Sequence, residues 1–213
     1  MKLRKLNHIY VLESATQYEL AITFMRLQEF YESTFPEIRG NYFTFEQYMD
    51  RYAEEFGDFS YTSNWDGFNV PGHIVIQFFK TFTDLSDHEK ELKSFIEPAL
   101  LNGRKKTAFY VIGVHQQNKD ALNHEIAHAM YYISLDYPST MNTIINGMNR
   151  RLYNQMKKVL LKMGYCDNVI QDEIQAYLAT SSYWYILKTF HCLPFKTMKK
   201  AKIAFLHGKR RLK

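Results

Sequence analysis

TAFYVIGVHQQNKDALNHEIAHAM, residues 107–130, is the stretch on which the reading of this chain turns. Residues 107–115 are rich in β-branched and aromatic side chains and predict a strand. A polar turn follows. From Asp120 onward, Leu122, Ile126, Met130 and Ile133 recur at helical spacing, which predicts a helix over 120–135 with one apolar face. Inside that helix stand two histidines and a glutamate, His124, Glu125 and His128.

These three residues fit the pattern His-Glu-x-x-His. Residues four apart on a helix lie about 40° apart around the axis and about 6 Å along it, so two imidazoles can reach one ion. Zinc accepts such nitrogen donors at about 2.0–2.1 Å. Glu125, one position on, falls beside the ion rather than on it, where a carboxylate can take a proton from an attacking water. The reading is therefore a zinc site, with His124 and His128 as ligands and Glu125 as general base.

A catalytic zinc needs a third protein ligand. The segment after the motif, AMYYISLDYP, has no Gly or His at the offsets of the metzincin pattern, which disfavours that class. The stretch DEIQAYLAT, 172–180, offers Glu173 followed by Ala176, with Asp172 as the adjacent competitor. In this arrangement the chain resembles the gluzincins, the thermolysin-like superfamily of zinc peptidases. There a glutamate on a downstream helix completes the site, followed by a small residue and then an acid that bonds a zinc-binding histidine. Tyr177 stands where that acid is common, and is expected to take the supporting role. The resemblance covers 107–180 and implies a zincin-like α+β fold, with a small N-terminal sheet, an active-site helix following an edge strand, and a helical C-terminal half. It implies Zn²⁺ as cofactor and a peptide or protein as substrate, paired along the edge strand with Gly113 and His115 in contact with it. For the oxyanion donor the candidates beyond Glu173 are Tyr183, Tyr185 and His191, and Tyr183 is assigned the catalytic role. The competing reading is a zinc-bearing, catalytically weak interaction module on the same fold.

The rest of the chain supplies the frame. Strands are expected at 6–14 and 73–82, helices at 18–35, 44–57 and 86–100, and a structured loop at 61–72. Thr44 and the Ser86/Glu89 pair mark helix starts. Two long helices are expected at 143–164 and 167–190. No internal repeat or linker divides the chain, so residues 1–195 read as a single domain. Residues 196–213, with eight Lys and Arg, read as a basic, frayed tail. No nucleic-acid motif accompanies that tail. There is no signal-peptide core and no 18-residue apolar run, and Cys166 and Cys192 form no CxxC pair. A cytoplasmic protein without a membrane span is expected, with export lacking a cleaved signal left open.

Overall fold

The computed structural model describes residues 1–65, 67–102 and 108–212. Thr107 of the expected strand and Lys213 of the expected tail lie outside them. The fold is α+β, with one small mixed sheet and a large majority of helix. Its contacts separate into two compact units, residues 1–119 and 120–213.

The first unit opens with a hairpin, β1 (Lys2–Leu6) and β2 (Ile9–Ser14). Leu6 pairs with Ile9 across a two-residue turn whose Asn7 takes a left-handed conformation, φ 52°. Helix α1 (Gln17–Glu32) follows, N-capped by the Thr16 side chain. Helix α2 (Phe45–Phe56) starts on a capping box, Thr44 with Gln47, and ends on Gly57 at φ 90°. A short α3 (Tyr61–Asn64) and β3 (Gly67–Pro71) occupy the stretch expected to be loop. Helices α4 (Gly72–Thr81) and α5 (Asp87–Asn102) lead to β4 (Tyr110–His115). The strand expected at 73–82 is thus a helix. HIVIQFFKTF has strand composition, but its buried positions Val75 and Phe78 are three apart, and packing overrides propensity.

The sheet order is β1-β2-β4-β3. β4 runs parallel to β2 and antiparallel to β3, so it is an interior strand and not the expected edge. Its hydrogen-bonding groups are taken on both sides, which removes the route by which a peptide would add to it. Gly113 pairs opposite Leu12 and Phe68, and a Cβ there would collide with the Phe24 ring. Its small size lets α1 lie close on the sheet, where Phe24 stacks on Phe68 at 5.4 Å. His115 bonds the Ala15 carbonyl at 3.0 Å and ties the end of β4 to the start of α1. Both residues assigned to substrate are accounted for by packing and backbone bonding.

The second unit is helical: α6 (Lys119–Ile133), α7 (Tyr137–Asn146), α8 (Arg150–Lys162), a 3₁₀ turn (Asp167–Val169), α9 (Ile170–Thr180), α10 (Tyr183–Phe190) and α11 (Phe195–Arg210). Each expected long helix is two. The first breaks at Gly147, and Asn149 starts α8 by accepting from the Arg151 amide at 2.9 Å. The second breaks at Ser181–Ser182, where the Ser182 hydroxyl caps α10 through the Tyr185 amide at 3.0 Å. The expected basic tail is α11. It packs on α7 and α9 through Met198, Ala201 and Phe205, all buried, and Gly208 lets Met130 approach its last turn.

Candidate metal centre

Helix α6 presents the site from a well-packed base. Glu125, Ile126, Ala127, His128, Ala129 and Met130 are all buried, while His124 keeps 18% of its side chain exposed. Ala127 and Ala129 are fully buried. The facing element is α9, whose first turn carries Asp172 and Glu173, where carboxylates complement the positive end of the helix dipole.

The two helices bring three donor atoms together. His124 Nε2 and His128 Nε2 are 3.2 Å apart. Glu173 reaches His128 Nε2 with Oε1 at 3.5 Å and His124 Nε2 with Oε2 at 3.6 Å. A tetrahedral ion about 2.0–2.1 Å from each donor holds its donors about 3.3–3.4 Å apart, so the spacing fits a zinc-sized ion. Glu173 Oε2 is buried and has no hydrogen-bond partner among the described residues. Such an atom costs roughly 1–3 kcal/mol if nothing meets it. One shared proton satisfies two of the three donors, whereas a cation satisfies all three. Among the described residues, this is the one group of His, Cys, Asp or Glu side chains close enough to hold a metal.

A hydrogen-bond chain sets the imidazole of His128. The Tyr137 hydroxyl donates to Gln175 Oε1 at 3.0 Å, turning the Gln175 amide nitrogen to Asp172 Oδ1 at 2.9 Å. The same Asp172 oxygen lies 3.0 Å from His128 Nδ1. A carboxylate oxygen can only accept, so Nδ1 carries a proton, and Nε2, which faces His124 and Glu173, is the nitrogen left to exchange its proton for an ion. Burial alone would push the His128 pKa down, but Asp172, Glu173 and Glu125 outweigh it and hold it well above its ordinary value. The same negative field attracts a cation.

The chain matches no family model, no curated protein and no solved structure. The reading of the site therefore rests on its own geometry.

Asp172, weighed as a competing ligand, bonds His128 Nδ1, and Tyr177, expected in the supporting role, lies against His124. Tyr177 touches His124 with its ring, edge-on at 4.7 Å, while its hydroxyl interacts with Tyr165 and Tyr185. Burial pushes the Tyr165 and Tyr177 hydroxyls up, so both stay protonated donors at working pH. Tyr183, assigned as catalytic, packs its ring on Phe195 at 4.9 Å under the Lys202 ammonium. The aromatic residue against the histidine pair is Tyr177, joined by Tyr165, a residue that sequence reasoning passed over. Its signal was faint: Tyr165 follows the Gly164 helix stop and precedes a cysteine, with no spacing that relates it to His124.

Asp172→Asn tests the orienting chain. An asparagine can turn its NH₂ toward Nδ1 and reverse the tautomer. Affinity for an added divalent metal is expected to fall about 10–100-fold, read by competition with a chromophoric chelator, with helix content unchanged.

Proposed function

We propose that this protein is a zinc-dependent metallopeptidase. The observation that carries the reading is the group His124, His128 and Glu173, whose facing donor atoms are 3.2–3.6 Å apart, with Glu125 buried on the same helix as the histidines. Two imidazole nitrogens and one carboxylate form the donor set of hydrolytic zinc sites, and a fourth position is left for substrate and water. Zinc held there would supply Lewis-acid polarisation. Glu125 would act as the general base that accepts a proton from the attacking water and, as a general acid, returns it to the leaving amine. Asp172 holds His128 in the binding tautomer throughout. Peptide as the substrate class is supported by the His-Glu-x-x-His and downstream-glutamate pattern.

Purified protein reconstituted with zinc is expected to cleave members of a mixed peptide library, read by mass spectrometry. A zinc chelator should abolish the cleavage and added zinc restore it. Absence of chelator-sensitive cleavage across the library, from protein shown to hold zinc, would turn the reading toward a binding role.

A further inference from the structure

The charge of this chain is divided between its two units. Residues 1–119 hold sixteen Asp and Glu against thirteen Lys and Arg, and residues 120–213 hold six against fourteen. After Glu173 there is no acidic residue at all, while nine Lys and Arg follow. Much of this charge sits on α11. Opposite its buried stripe, the helix turns Lys196, Lys199, Lys200, Ile203, Leu206 and Arg210 outward.

That face is not an ordinary solvated one. Ile203 is 60% exposed, Leu206 55% and Phe195 53%, interleaved with the lysines. At the N-terminal corner the Tyr183–Phe195 ring pair joins α10 to α11, and the next residue on α10, Trp184, is 73% exposed. Aliphatic and aromatic side chains set among lysines, on a helix that carries no acidic residue of its own and whose neighbouring acid Asp136 lies against Arg211 at its far end, match a surface that is apolar below and anionic above. Lysine stems can lie along the apolar layer while their ammonium groups reach phosphate, and Trp suits the boundary between the two. A phosphate backbone alone would leave Ile203 and Leu206 without a partner. No helix among the described residues is long and apolar enough to cross a membrane, so contact of this kind lies along the surface.

We infer that the outer face of α11, with Trp184 at its corner, docks on an anionic lipid surface, its lysines pairing with headgroups while Phe195, Ile203 and Leu206 enter the headgroup–acyl boundary. This inference stands apart from the peptidase reading, since it uses none of the metal-site residues.

Vesicle flotation of the full-length chain tests it. The protein should float with phosphatidylcholine vesicles that contain phosphatidylserine and stay behind with phosphatidylcholine alone, and binding should weaken as salt rises. Replacing Lys196, Lys199 and Lys200 together by Gln should weaken binding about a hundredfold, and Ile203→Ser with Leu206→Ser about tenfold or more. Equal behaviour with both vesicle types overturns the proposal. So does salt-sensitive binding of duplex DNA without vesicle binding, which would make the face a nucleic-acid surface. A larger species in gel filtration, dissociated by the Ile203/Leu206 pair of substitutions and without affinity for vesicles, would make it a self-association face.

Discussion

Glu125→Gln is expected to keep its zinc and lose its hydrolysis. The substitution preserves shape and replaces a carboxylate that can hold a proton with an amide that cannot. Glu125 is buried on α6 beside the histidine pair and is not one of the three clustered donors, so metal content should not move. General-base catalysis contributes roughly 10²–10⁴-fold, and turnover of a cleaved peptide should fall by that amount. The split between the two readouts is informative: loss of both would mean that Glu125 helps to build the site, and retention of both would remove it from the chemistry. A site that served only binding would show no change in partner affinity.

Glu89→Ala is expected to produce the largest loss of stability. Arg26, 1% exposed, is held by Glu89 through Nε at 2.9 Å and Nη2 at 2.6 Å, and lies over the Phe45 and Phe82 rings. Glu89 also accepts from the Ser86 amide at 2.8 Å and so caps α5. Removing its carboxylate leaves a buried guanidinium facing Asp84, which is half-exposed and bonds at 3.3 Å. Breaking a buried pair in this way costs about 3–5 kcal/mol. In a chain of this size that is a fall in Tm of roughly 6–20 °C, measurable by thermal unfolding. Exchanging both partners for apolar residues, Arg26→Met with Glu89→Leu, should recover most of the loss, because no charge then remains buried.

What the sequence made legible was local. The His-Glu-x-x-His spacing, the capping boxes at Thr44 and Ser86 and the stop at Gly57 all rest on contacts within one turn of helix, where side-chain type and spacing suffice. Glu173 could be named from the resemblance, by the small residue Ala176 that follows it, and the first turn of α9 brings its carboxylate to the histidines. Which acid supports the site was not legible. Asp172 rather than Tyr177 bonds His128 because of the rotation of α9 about its axis, fixed by long-range packing and by the Tyr137–Gln175 bond, 38 residues apart. Strand order was hidden for the same reason. Nothing within residues 107–115 says that β3 will pair on one side and β2 on the other. In α11 the lysines masked the Met198, Ala201, Phe205 stripe that packs it down.

The central claim is that His124, His128 and Glu173 hold one zinc ion, and elemental mass spectrometry of purified protein tests it most directly. Wild type, reconstituted and exhaustively buffer-exchanged, is expected to carry about one zinc per chain, because three converging donors give a site that survives dilution. Glu173→Ala, which removes the only non-histidine donor of the group, is expected to lose most of it while circular dichroism stays unchanged. Wild type without zinc, or a folded Glu173→Ala variant that keeps a full equivalent, would contradict the account.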